Sequence, residues 1–510
     1  MDARKKRAKT RCAGRLAAGI IMLLLPVSIC RSAGSGTDAT FETLVRQAEE
    51  RAKHPYVPAP DNLPQSLRKL NYDQYRTIRY RRESALWVDE NLPFEVEFFH
   101  RGYLFPRRVR MYILHDGTAA EVPFSYKMFD YSSSNIEPLR LPEDLDFAGF
   151  RLLYDWLGKD YNSEFISFLG ASYFRAIGAG EAYGASARGL SVGMGEPNEE
   201  FPYFDAFWIE KPRADAKTIT VYASLDSPSL AGAYRFDISP GVETLVDVQA
   251  EIFARTTLDK VGVAPLTSMY YYGLNAPKGV RDYRPQVHDS DGLLIANGST
   301  EWIWRPLWNP QTPSLSTFEI ESVNGFGLMQ RFRDPCDYND SNAMYEKRPS
   351  IWVEPLETWQ AGVIQLLELP TRGEWQDNIG VCCLPPEKVV TGKSLSMRYR
   401  LHFGSSSPEP ANLGKVVSTR WSGSPGEGAW FTINFGSGKV RPNMQPTPEL
   451  VISATGGNIS GKDVRADWSD KYWRVKFKAD PQMRQVMDIR VFLQRGGQKL
   501  TEVWSFAWPR

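Results

Sequence analysis

The sequence predicts an all-β protein, a large sandwich or barrel followed by a smaller immunoglobulin-like β-sandwich. Three observations carry this. Short segments rich in β-branched and aromatic residues recur at close spacing and end in turn residues. Helical patterns are few and short. The composition, 13% aromatic with 40 Gly and 35 Pro in 510 residues, suits many strands joined by turns and does not suit disorder. The length exceeds one ordinary core, so two domains are expected.

The elements follow in chain order. "MDARKKRAKTRCAGR", an apolar run "LAAGIIMLLLPVSI" and the small residues of "CRSAGSG" read as a secretory leader over residues 1–33. The run is short for a membrane span, an uncleaved anchor being the alternative. Removing this segment takes the formal charge from +1 to about −6. The remainder has no basic stripe, which argues against a nucleic-acid partner.

"TFETLVRQAEERAKHP" (40–55) places Phe41, Leu44, Val45 and Ala48 at helical spacing, with Thr40 as N-cap and Pro55 as a stop. Strands are then expected at 94–102, 108–117, 218–227 and 234–241, where apolar alternation ends in turn signals. The large domain is assigned to 34–404. "SLSMRYRLHFG" (394–404) reads as its last strand, and "SSSPEPANLG" (405–414) reads as a linker. Residues 415–510 hold five short strand patterns, "WFTINF", "PELVISAT", "YWRVKFKA", "MDIRVFLQ" and "TEVWSFAW". That length and spacing fit an immunoglobulin-like sandwich without a cysteine pair.

Past the leader the cysteines are Cys336, Cys382 and Cys383, which make no disulfide framework. Strand alternation points Cys382 and Cys383 to opposite faces, and a bridge from Cys336 to either stays open in an oxidising compartment. Their spacing, with five scattered histidines, argues against a zinc site.

Three segments raise chemical questions. Gly178, Gly180 and Gly184 give G-x-G-x-x-x-G, which misses the dinucleotide fingerprint and lacks a βαβ frame, so close strand packing or a ligand-facing wall is the better reading. "HDSDG" (288–292) resembles half a calcium loop but lacks the third acid and the closing Glu. It remains a polar turn, or it holds a carboxylate base at Asp289 or Asp291. Downstream, Trp302, Trp304, Trp308 and Arg305 precede Arg331, Arg333, Tyr338, Tyr345, Arg348 and Trp352, and then Glu374 and Asp377. Aromatic faces stack on the apolar C–H groups of sugar rings, and Arg and carboxylate groups bind the rim hydroxyls, so this mixture fits a carbohydrate cleft. Burial of the same tryptophans in a core is the competing reading.

Several blocks together resemble the osmoregulated periplasmic glucan biosynthesis proteins G and D. They are "LGASYFRAIGAGEAYGASARGL", "FWIEKP", "LDSPSLAGAYRF", "GVAPLTSMYYYG", "YRPQVHDSDGL", "EWIWRPL", "GFGLMQR", "YEKRPSIWVEP" and "DNIG". The resemblance runs from about Phe41 to the C-terminal "WSFAWP". It implies a galactose-mutarotase-like large sandwich, a periplasmic location and a β-1,2-glucan partner. The activity implied is inverting endo-β-1,2-glucanase action or transfer of the cleaved chain, the alternative being a non-catalytic glucan-binding or scaffold protein. It assigns the general acid to Asp377 of "EWQDN", with Glu374 its neighbour, and the base to Asp289. Tyr345 and Arg348 become sugar contacts; with them, Trp302, Trp304, Arg331 and Trp352 make up the expected glucan-binding set. Asp291 is the weaker candidate, since relatives often carry Asn there. No cofactor or metal is implied, and a homodimer is compatible with the likeness. Glycoside cleavage needs one carboxyl that keeps its proton and one that stays ionised. Glu374 is expected to supply the like charge that raises Asp377.

Overall fold

The computed structural model describes residues 40–156, 162–275, 281–298, 300–406, 408, 412–423, 427–436, 446–467, 471–482 and 486–508. The expected leader lies outside them, as do parts of the expected linker. Residues 38–510 cluster as one compact unit.

The fold is all-β. Among the described residues a ten-stranded and a fifteen-stranded sheet dominate, and a four-stranded sheet lies near the C-terminus. Phe168 of the ten-stranded sheet packs against Phe207 and Phe236 of the other, with ring centroids 5.3 Å apart in both pairs, so the large sheets share a core. Alternation builds this layer directly. In Ile219–Asp226 and Thr244–Ala254 every second residue is buried. Val261–Ser268 is buried at every position and forms an inner strand of the ten-stranded sheet.

The helix expected at 40–55 forms over Phe41–Ala52. Thr40 caps it by accepting the Thr43 N–H, and Phe41, Leu44 and Ala48 pack on Ala233 of the strand Leu230–Ser239. Each strand quoted above is present, including Ser394–Gly404 with its expected bounds. The strand Gly457–Ala466 has no counterpart in the sequence reading. Its two glycines and mostly exposed side chains leave no apolar alternation; pairing with Tyr472–Pro481 holds it.

After residue 414 the chain forms two facing sheets. Phe431 and Phe477 of one meet Trp504 of the other, at 5.7 and 6.2 Å. Val503–Trp508 also pairs in parallel with Glu301–Pro306, so the C-terminal strands extend the fifteen-stranded sheet. Cys336, Cys382 and Cys383 are free thiols, so the bridge left open above is not formed. Cys382 and Cys383 do face opposite sides, in separate apolar clusters. No helix among the described residues is long and apolar enough to cross a membrane.

Candidate active site

The site is built on four residues, Thr267 to Tyr270, where the strand Val261–Ser268 runs out. On one side the Thr267 hydroxyl donates to Asp377 Oδ2 at 3.5 Å. Next to it the Asn378 N–H donates to the Ser268 carbonyl at 3.1 Å, and the Tyr270 N–H donates to Asn378 Oδ1 at 2.8 Å. On the other side the Asp289 N–H donates to the Met269 carbonyl at 2.8 Å, and the Ser268 hydroxyl donates to Ser290 at 2.8 Å. Two segments far apart in sequence are thereby stitched to one short stretch, and each delivers an aspartate.

The two carboxyls meet different surroundings. Asp289 is 4% exposed and ion-paired with Arg348. Burial pushes it up to about 6, against the pull of Arg348, and the charge of Asp377 adds to the rise. Asp377 is exposed by surface area and lines a 630 Å³ cavity, with protein crowded about it. Crowding raises it, while Arg175, Thr267 and Arg348 oppose the rise. The cavity is lined by Tyr173, Arg175, Phe201 and Tyr203 among others.

Glu374 does not supply the like charge expected of it. Its Oε2 accepts the Tyr345 hydroxyl and the Arg284 guanidinium, both at 2.7 Å. Arg284 also binds Asp282 and Asp340, each at 2.8 Å, so one guanidinium ties three loops together. Tyr345 is 1% exposed, with the Arg348 guanidinium 4.2 Å from its ring centre. Tyr345 and Arg348, expected as sugar contacts, are engaged with Glu374 and Asp289. Gly184 makes room for this, since a Cβ there would stand 2.9 Å from Arg348 Cβ. The glycine-rich segment is thus a wall against which Arg348 packs.

The remaining expected sugar contacts lie elsewhere. Trp302 and Trp352 stack on each other, at 5.8 Å and 13°, on the fifteen-stranded sheet, away from the cavity that holds Asp377. Trp304 is 4% exposed beneath Arg331, whose guanidinium lies 3.6 Å from its ring centre. Arg331 donates to both oxygens of the fully buried Glu502, at 3.0 and 2.7 Å, and so braces the C-terminal segment. The structure therefore separates these four from the two aspartates. Strand alternation put Trp302 and Trp304 on one face, but which sheet carries that face is a tertiary property.

His288 is buried and stacked on Tyr270 at 5.2 Å; burial lowers it to about 3, so it is neutral. Asp291 accepts the Arg331 and Phe332 N–H groups at 2.9 and 3.3 Å and does not line the cavity. Sequence reasoning passed over Tyr173, Arg175, Thr267, Arg284 and Asn378. Arg284 and Asn378 adjoin the two acidic motifs, a position that could have flagged them. Tyr173 and Arg175 lie in the block "LGASYFRAIGAGEAYGASARGL", just ahead of its glycines.

The sequence profile of the family described as "Periplasmic glucan biosynthesis protein, MdoG" matches residues 40–508. Similar proteins include the glucans biosynthesis protein G of Rhodopseudomonas palustris, 41% identical over 90% of this chain and 91% of that protein. The protein G of Vibrio cholerae is 40% identical over 92% of this chain and 86% of its own length. The glucans biosynthesis protein D of Xylella fastidiosa is 41% identical over 94% and 91%.

Proposed function

The chain belongs to the periplasmic glucan biosynthesis protein family, and from that premise we propose that it acts in the periplasm on β-1,2-linked glucan, cleaving or transferring the backbone with Asp377 and Asp289. The observation that carries this reading is the grip of Thr267–Tyr270 on both aspartate-bearing segments, one of whose aspartates, Asp377, lines a 630 Å³ cavity with aromatic walls.

In the proposed reaction Asp377 gives its proton to the leaving glycosidic oxygen. Asp289 takes a proton from the attacking water, directly or through an intervening hydroxyl, and the anomeric centre inverts. An acceptor sugar hydroxyl in place of that water turns hydrolysis into transfer. Asp377 must hold a proton at neutral pH. A chain that fills the cavity removes the water around its carboxyl and raises it further, while Asp289, raised only to about 6 and paired with Arg348, is mostly ionised at neutral pH.

A second reading has its own support. The Asp289 carboxylate is ion-paired and nearly inaccessible, an arrangement that suits a structural anchor in a non-catalytic glucan-binding protein. Incubation with linear β-1,2-glucan, followed by product sizing and anomer analysis, separates the two. Catalysis predicts new chain ends or rings, and a loss of about 10²–10⁴-fold in Asp377→Asn with binding retained. Near-wild-type turnover in that variant eliminates the acid assignment. Binding without any product favours the second reading.

A further inference from the structure

A second cavity, of 520 Å³, opens on the fifteen-stranded sheet and shares no lining residue with the one that holds Asp377. Its walls follow from strand alternation. In Ser350–Pro355 and Ser394–Gly404, Ile351, Val353, Leu401 and Phe403 fill the core. Trp352, Glu354 and His402 take the opposite face, where Trp352 and His402 are direct cross-strand partners. Trp302 arrives from Glu301–Pro306, with two strands of the same sheet in between, and stacks on Trp352. Gly325 completes the arrangement, because a Cβ there would collide with the Trp352 ring.

The polar rim is held in place. His402 Nε2 donates to Glu354 Oε2 at 2.9 Å, and its Nδ1 lies 3.4 Å from Glu243 Oε2. Burial works against the charged imidazole, but the hydrogen bonds it donates to Glu243 and Glu354 outweigh it and hold His402 above its ordinary value. The two ring nitrogens of His402 thus hold both carboxylates in place as hydrogen-bond acceptors. Trp352 is 6% exposed and packs into the core, while Trp302 is partly exposed, so the ring surface left open beside this rim belongs mostly to Trp302.

We propose that Trp302 and Trp352, with Glu243, Glu354 and His402 as rim, form a second saccharide-binding site that stacks one pyranose on the tryptophan pair and binds its hydroxyls through the two carboxylates. The cavity falls in the size range of small-ligand sites, and acceptors fixed before binding lose little freedom when a hydroxyl docks. The site lies on the sheet opposite the cleft, so it holds sugar units that are not reacting. This deepens the proposed function by adding a place where a glucan is retained, and it stands apart from the chemistry of the cleft.

The test uses the full mature chain labelled with 5-fluorotryptophan, with the Trp302 and Trp352 ¹⁹F resonances identified by their loss in Trp302→Phe and Trp352→Phe. Titration with sophorose, the β-1,2-linked glucose disaccharide, is expected to shift both resonances saturably. In Trp302→Ala the Trp352 response should vanish while the other fluorine signals keep their dispersion. Glu354→Ala, at a half-exposed side chain, should weaken the response about tenfold if that variant is used instead. Unmoved resonances overturn the proposal. So does a Trp352 shift that persists without Trp302, which would mean a signal relayed from the cleft, or a response to tetramethylammonium and not to the disaccharide. Glucan turnover is measured separately, so failure in the cleft and failure at this site give different results.

Discussion

Asp291 is buried with one carboxylate oxygen bonded to two backbone N–H groups and the other, Oδ1, without a hydrogen-bond partner among the described residues. Burial pushes it up to about 6, against Arg331 and the two N–H groups. Its unfolded value is about 3.9. The folded state therefore holds the proton more tightly, and the stability this contributes is full below about pH 4 and lost as pH rises through 6. An Asn can keep both N–H bonds without carrying charge. Asp291→Asn is expected to change stability little at pH 4 and to raise it at pH 8 by up to ~3 kcal/mol. Urea unfolding at the two pH values checks this, and equal effects at both would refute it. The same scale explains what could be read from the residues. Asp289 and Asp377 lie in motifs distinctive enough for the resemblance to single out. How far each carboxyl is raised depends on burial, and no motif encodes burial.

At the scale of elements, Asn378 is the joint between the two aspartate-bearing segments. Its side chain accepts the Tyr270 N–H and donates to the Leu369 carbonyl, at 2.8 and 2.9 Å, and it is 1% exposed. Asn378→Ala would orphan two buried backbone groups at about 1–3 kcal/mol each. It would also free Asp377 to wander. The expected result is a lower urea midpoint together with a drop in kcat for glucan larger than any change in KM. A stability loss with kcat intact would make Asn378 merely structural. The strands themselves were legible because each carries its own alternation. Ile219–Asp226 announces its buried face residue by residue, whereas Gly457–Ala466 has no such pattern and exists through its neighbour. The aromatic run was legible as chemistry but not as a place. Alternation put Trp302 and Trp304 on one face, yet Arg331 roofs one and the other flanks a cavity.

At the scale of the molecule, the C-terminal segment is bound to the rest by more than a linker. Val503–Trp508 pairs with Glu301–Pro306, and Glu502 accepts Arg331 twice and the Val416 N–H once. Glu502 is fully buried, so Glu502→Ala leaves a mostly buried guanidinium without its partner, a change that costs about 3–5 kcal/mol. A fall in the urea midpoint of that size is expected, and an unchanged midpoint would mean that the brace carries no load. Arg331 bridges Trp304 to Glu502 and so belongs to this brace, although its sequence context had suggested a sugar contact.

The chain by itself determined the all-β class, the capped helix near its start, most strand positions and the family likeness, because periodicity, caps and turns are local and are written in consecutive residues. Tertiary structure decided that Asp289 and Asp377 share the Thr267–Tyr270 stretch, that Glu374 answers to Arg284 and Tyr345, and that Trp302 and Trp352 stand on the other sheet. Those outcomes depend on which strands pair and which side chains lose their water, and both are fixed by contacts between residues distant in sequence.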